Sequence, residues 1–155
     1  MSLQEKLAED LKAAMRSRDA VRLRTIRSLR AALMEREIAE RSGGAAVLTE
    51  EQELAVVQKQ AKQRRDALEQ YDRAGREDLA AKEREELEVL KDYLPRQLDE
   101  GEVRTVVQRV IAETGASSPR DMGKVMGLAM KQLRGKADGR MVQAVARELL
   151  SENAG

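Results

Sequence analysis

The 155 residues contain no cysteine, histidine, phenylalanine or tryptophan, and only two tyrosines, Tyr71 and Tyr93. Each absence removes a class of chemistry. Without Cys and His there is no zinc finger and no Cys/His metal site. There is also no Cys nucleophile, no Ser-His-Asp triad and no imidazole base. No disulfide can form, which fits a reducing cytosol. With almost no aromatics there is no stacking platform for single-stranded nucleic acid. No glycine-rich G-x-x-x-x-G-K-[ST] cradle for a nucleotide is present. No catalytic residue, metal or cofactor is therefore expected. The longest uncharged stretch, Ser42 to Thr49, is far too short to span a bilayer. The opening residues MSLQEKLAED carry acids where a signal peptide needs an apolar run. These features predict a soluble, cytoplasmic protein.

The composition that remains favours helix. Charged residues make up 37% of the chain, and the apolar residues are mainly Leu, Ala, Val and Met. Ala, Leu, Arg, Lys, Glu and Gln are the best helix formers, and no clean strand-period run is bounded by turn residues. The expected fold is all-α, with about seven helices. Ser2 and Glu5, Thr49 and Gln52, and Asp99 and Glu102 read as capping boxes, in which side chains satisfy the free N–H groups of a helix start. Asp19 and Asp138 read as single caps, and Ser117-Ser118-Pro119 as a helix start with proline in the first turn. Ser42-Gly43-Gly44, Gly75, Pro95, Gly115 and Gly135 read as stops. The expected inward stripes are Leu3, Leu7, Leu11 and Met15; Leu23, Ile26, Leu29, Leu33, Met34 and Ile38; Leu54, Val57, Ala61, Leu68 and Tyr71; and Leu79, Leu87, Leu90 and Leu94. Beyond Pro95 they are Val103, Val106, Val107, Val110 and Ile111; Met122, Val125, Met126, Ala129 and Leu133; and Val142, Val145, Ala146, Leu149 and Leu150. Two helical subdomains follow: a four-helix part over residues 1–95 and a three-helix part over 96–155.

The net charge of +1 hides strong local imbalance. Residues 15–30 hold six Arg against Asp19, and residues 115–147 hold seven bases against Asp121 and Asp138. Residues 78–95 hold six acids against three bases. The carboxylates Glu83, Glu85, Glu86 and Glu88 read as a solvated acidic face rather than a metal site. In the second helix Arg27 and Arg30 fall within the apolar arc. They are expected to lay their stems on the core and pair with an acid of a neighbouring helix; the alternative is a second phosphate-contacting stripe.

The sixth helix separates more cleanly. Its apolar residues fall within an arc of about 100°, and Lys124 and Lys131 point the opposite way. Arg134, Lys136 and Arg140 continue that basic face past Gly135. Such a row, beside helix N-termini with free N–H groups, suits phosphate; the alternative is an ordinary solvated face. Gly123 and Gly127 cost about 1 kcal/mol each relative to Ala in a helix. With Gly135 they are expected to mark close packing, either between helices or against an RNA backbone.

Three stretches resemble the GatB/YqeY domain. They are Asp121-Met-Gly-Lys-Val-Met-Gly-Leu-Ala-Met with Leu133-Arg-Gly-Lys-Ala-Asp-Gly-Arg-Met-Val, then Ala74-Gly-Arg-Glu-Asp-Leu, and Glu88-Val-Leu-Lys-Asp-Tyr-Leu-Pro-Arg-Gln-Leu. The resemblance covers residues 3 to 151, and the D-x-G-x-x-x-G plus G-x-A-D pattern is its specific part. It implies an all-α fold in two helical subdomains, like the tail of the B subunit of tRNA-dependent amidotransferases. In those glutamine-dependent carbon–nitrogen ligases the tail helps hold tRNA away from the chemistry. The kinase-like catalytic portion of that subunit has no counterpart here, and Ser117-Ser118 precedes a proline at a helix start, as a cap does. The expectation is a non-catalytic accessory protein that binds tRNA or another structured RNA through Lys124, Lys131, Arg134, Lys136 and Arg140. Its further expected partner is an aminoacyl-tRNA-handling or amidotransferase complex. The alternative is a helical protein-interaction adaptor with no RNA role.

Overall fold

The computed structural model describes residues 1–41, 44 and 47–154. Most of the expected break at Ser42-Gly43-Gly44 lies outside the described residues. Among those described there are seven α-helices and no strand: α1 Leu3–Ser17, α2 Ala20–Glu40, α3 Glu50–Arg73, α4 Glu77–Lys91, α5 Glu100–Thr114, α6 Met122–Leu133 and α7 Gly139–Ala154. A short 3₁₀ turn, Pro119–Asp121, leads into α6. The helices group into two compact units, Met1–Leu94 and Pro95–Gly155.

The helix starts follow local chemistry. Ser2 Oγ accepts from the Glu5 N–H at 3.1 Å, and the Glu5 carboxylate accepts from the Ser2 N–H at 3.2 Å. Thr49 and Gln52 repeat the exchange at 3.1 and 2.9 Å. Asp19 caps α2 through the Arg22 N–H at 3.0 Å. At α5 only half of the expected box forms. Asp99 accepts from the Glu102 N–H at 2.8 Å, but the Glu102 carboxylate is drawn away by a two-pronged pair with Arg96 at 3.1 and 2.8 Å. A charge-assisted fork outcompetes a neutral N–H for the same oxygens.

In the N-terminal unit Leu7, Ile26, Leu29, Leu33, Val57 and Leu90 are fully or almost fully buried. Three expected inward residues are not: Met15, Met34 and Ile38 are 55, 61 and 57% exposed. A stripe written at i+4 spacing advances about 40° per step, because a turn holds 3.6 residues. By its fourth member it has left the core, and Ala14 rather than Met15 faces inward. In the C-terminal unit α5, α6 and α7 each pack on the other two. Val103, Val107, Val110, Val125, Ala129, Leu133, Val142 and Leu150 close that core.

The unexpected part of the N-terminal core is ionic. Arg64 of α3 is 9% exposed. Its guanidinium donates to Glu86 Oε2 at 3.2 Å, to Gln60 at 2.7 Å (Oε1) and 3.1 Å (carbonyl), and to Ser28 Oγ at 3.2 Å. Arg24 of α2 reaches the other Glu86 oxygen at 3.1 Å and Glu85 at 3.1 Å. Three helices thus meet on one carboxylate, and Glu86 is not part of a solvated acidic face. Nor do Arg27 and Arg30 pair as expected. Both are exposed and line a cleft with Gln4, Met34 and Glu37. Of the α4 acids, Glu85 and Glu86 are taken instead by Arg24, Glu86 jointly with Arg64, and Asp92 just beyond α4 by Arg22 at 2.9 Å.

Truncating one partner of a buried pair leaves the other charge uncompensated. Glu86→Ala is expected to lower unfolding free energy by about 3 kcal/mol, whereas Glu85→Ala, at the exposed end, should cost less than about 1 kcal/mol. Urea denaturation followed by circular dichroism measures both. Replacing Arg64 and Glu86 together by leucine should recover much of the loss.

Candidate nucleic-acid interface

Helix α6 buries Val125, Ala129 and Leu133, with Met122, Met126 and Met130 partly buried against the same core. That choice of inward face dictates the outward one. Gly123, Lys124, Gly127 and Lys131 are all exposed. Lys124 and Lys131 are two turns apart on one face, about 10 Å along the axis. Arg134 and Lys136 are exposed in the turn that follows, and Arg140 is exposed in the first turn of α7. Among the described residues no ion pair engages Lys131, Arg134 or Lys136. Lys124 contributes in a minor way to holding the Asp121 carboxyl below its usual range. The main causes there are the N–H groups of Ser117 and Ser118, at 2.9 and 3.3 Å.

The turn that carries Arg134 and Lys136 is fixed at its backbone. Gly135 adopts a positive φ of 80°, where a side chain would be strained. Its carbonyl accepts from Gln97 Nε2 at 2.8 Å, and the Lys136 carbonyl accepts from the Leu98 N–H at 2.8 Å. With both carbonyls held by the segment before α5, the turn is braced from one side. Asp138 accepts from the Arg140 N–H at 3.2 Å, at the head of α7.

Two glycines require a correction. A Cβ built on Gly123 or Gly127 meets nothing within 4 Å. Neither glycine is a close-packing contact within this chain, because the packed side of α6 is the opposite one. They leave instead a strip of exposed backbone to one side of Lys124 and Lys131. One further cation, absent from the row expected on sequence grounds, precedes this face: Arg120 is exposed in the 3₁₀ turn that leads into α6. Its i, i+4 relation to Lys124 is the signal that could have found it, although the proline beside it reads first as part of a helix start.

Among the described residues no group of three or more Asp or Glu side chains is placed to hold a metal ion. No described helix is long and apolar enough to cross a membrane. The class this defines is an all-α protein with a braced cationic helix face. A family profile described as Yqey-like protein matches residues 4–150, and the chain belongs to that family. Two curated relatives carry the name "Altered inheritance of mitochondria protein 41, mitochondrial". The one from Pyrenophora tritici-repentis is 36% identical over 140 residues, covering 85% of this chain and 71% of the relative. The one from Lachancea thermotolerans is 31% identical over 115 residues, covering 73% of this chain and 60% of the relative.

These names overturn the expectation of a cytoplasmic protein, since both relatives are named mitochondrial. The acids that supported it, Glu5, Glu9 and Asp10, belong to α1, where Glu5 completes a cap.

The glycine strip makes a separate prediction. With no neighbour to meet, Gly127→Ala should stabilise the protein by roughly 0.5–1 kcal/mol through helix propensity alone. Gly135→Ala, at positive φ, should destabilise by about 1 kcal/mol or more. Thermal or urea unfolding of the two variants checks the pair of opposite signs.

Proposed function

We propose that this chain is a non-catalytic accessory protein that binds tRNA or another structured RNA through the outer face of α6 and the turn after it. The observation that carries the reading is the combination of exposed cations with bare backbone. Lys124 and Lys131 stand on one exposed face beside Gly123 and Gly127, with Arg134 and Lys136 just beyond the helix end, so a phosphate backbone could lie against the helix along that row. Arg120 and Arg140 extend the row. Contacts of this kind set affinity and register but read little sequence, and selection among RNAs would come from shape. The resemblance to the amidotransferase B-subunit tail supports a place in an aminoacyl-tRNA-handling or amidotransferase complex. In such an assembly a separate catalytic subunit would do the chemistry. The relatives' names make mitochondrial tRNA the first pool to test.

One observation favours the alternative, a protein-interaction adaptor. Met34 and Ile38 stand exposed on α2 beside Arg27 and Arg30, a surface better suited to a protein partner than to RNA.

The test is a salt titration of tRNA binding. Reversing Lys124, Lys131 and Lys136 to Glu should weaken binding at least tenfold at low salt. It should also flatten the salt dependence by about one unit of slope for each phosphate no longer neutralised. The melting temperature should stay nearly unchanged, as is usual for exposed positions. Binding equal to the parent protein at matched ionic strength would remove the RNA reading and leave the adaptor.

A further inference from the structure

Helix α2 carries two apolar faces. Its inner one, with Ile26, Leu29 and Leu33, is buried. On the opposite side Arg27, Ala31, Met34 and Ile38 are all exposed. Their spacing is four, three and four residues, which keeps them within an arc of about 60° at 3.6 residues per turn. A surface helix ordinarily turns polar residues to that side. The alternation of four and three is instead the spacing of a seam between two helices.

A cleft of about 350 Å³ opens on this stripe. Arg27, Arg30, Ala31 and Met34 border it, and they are positions i, i+3, i+4 and i+7 of one helix. Four residues in that relation outline the hole into which a side chain of a facing helix inserts as a knob. Leu33, 1% exposed, gives the cleft an apolar wall. Gln4 and Glu37 also line it and are committed to each other, with Gln4 Nε2 donating to Glu37 Oε1.

Charge decides what faces this stripe. Two corners of the hole, Arg27 and Arg30, are exposed, and among the described residues no hydrogen bond or ion pair engages either guanidinium. Arg24 of the same helix, by contrast, is taken by Glu85 and Glu86. Arg41, the C-cap three residues beyond Ile38, is exposed and equally free. Glu35 flanks the stripe about 40° beyond Ala31, on the side away from Arg30. The stripe is thus aliphatic at its centre and cationic at its ends and on one flank.

We propose that the outer face of α2 docks an amphipathic helix of a partner protein. An aliphatic side chain of that helix fills the hole at Arg27, Arg30, Ala31 and Met34, and carboxylates beside it pair with the two guanidiniums. Met34 and Ile38 continue the seam. A phosphate chain laid along the stripe would cover Ala31, Met34 and Ile38, which offer it no donor. A lipid surface calls for a broad apolar face carrying Trp, Phe or Leu, and this one is narrow and has no aromatic. From Arg27 to Ile38 the contact runs about 16 Å along the axis, the scale of a weak, reversible interface rather than a permanent one. The proposal rests on α2 and not on the RNA reading, whose face lies in the other unit, so each can fail without the other.

The test uses the full chain and a fluorescein-labelled synthetic helix of three heptads, with Leu at a and d and Glu at e and g. Fluorescence anisotropy should show saturable binding. A peptide of the same composition in scrambled order, which has no seam, should bind at least about tenfold more weakly. Arg27→Glu with Arg30→Glu should weaken binding by at least about tenfold, as loss of paired arginines at an interface centre does. A peptide with Lys in place of Glu should bind that double variant better than it binds the parent. Met34→Gln should also weaken binding of the Glu peptide. All three positions are exposed, so the melting temperature should stay nearly unchanged. The proposal fails if the Glu peptide shows no saturable binding up to about 1 mM, if the scrambled peptide binds as well, or if charge reversal changes nothing. It also fails if phosphatidylserine-containing vesicles or tRNA bind the parent more tightly than the peptide does and lose that binding in the Arg27→Glu, Arg30→Glu variant. Those outcomes would assign this face to a membrane or to RNA.

Discussion

The N-terminal unit depends on one carboxylate. Glu86 receives Arg64 from α3 on one oxygen and Arg24 from α2 on the other, while Ser28 and Gln60 complete the Arg64 guanidinium. An apolar contact tolerates sliding and rotation. A forked guanidinium between two oxygens does not, because its donors are fixed in a plane. The leucines and valines around it supply the larger share of the driving force. The ionic junction adds a condition on register, since each helix must present its charged residue at the same level. A buried ion pair can be energetically indifferent compared with apolar residues of the same volume. Its contribution here is geometric: it fixes which faces of α2, α3 and α4 meet.

The outer face of α6 gathers cations and leaves Lys131, Arg134 and Lys136 in solvent without an acid beside them, where an ion costs little and is available to a polyanion. That arrangement suits an extended ligand of loose specificity. The α6 face keeps a braced turn at its end, so the cations move with the core of the C-terminal unit rather than with a free loop.

Much of the helical fold was legible in the sequence. Caps such as Ser2 with Glu5 and Thr49 with Gln52, and stops such as Gly115, act over three or four residues and need no knowledge of tertiary contacts. The all-α class followed from propensity, and the motif around Asp121 to Val142 pointed to the family that residues 4–150 match. What local pattern could not give was the identity of charged residues in the core. Arg64 lies three residues after Ala61 and four before Leu68, squarely on the inward stripe, yet a polar residue there reads as an interruption until its partner 22 positions away is known. Glu53, beside the expected Leu54, is masked in the same way. Met34 and Ile38 are exposed for the converse reason: apolar character does not guarantee burial, since much of any protein surface is apolar. Gly123 and Gly127 read as packed because glycine in a helix demands a reason, and sequence alone cannot say on which side the reason lies.

The junction at Glu86 also imposes an order of assembly. Arg64 and Glu86 are separated by 22 residues, Arg24 and Glu86 by 62. Closing the longer loop in an unfolded chain costs about 1 kcal/mol more in chain entropy, by the logarithmic dependence on loop length. The α3–α4 hairpin therefore has the shorter search. Once it has closed, Glu86 presents one free oxygen beside a guanidinium already in place. Helix α2, with α1 folded back on it through the left-handed turn at Arg18, then docks onto a preformed acceptor. The same carboxylate that fixes the register of the finished unit thus joins one contact of short loop length to another of longer range.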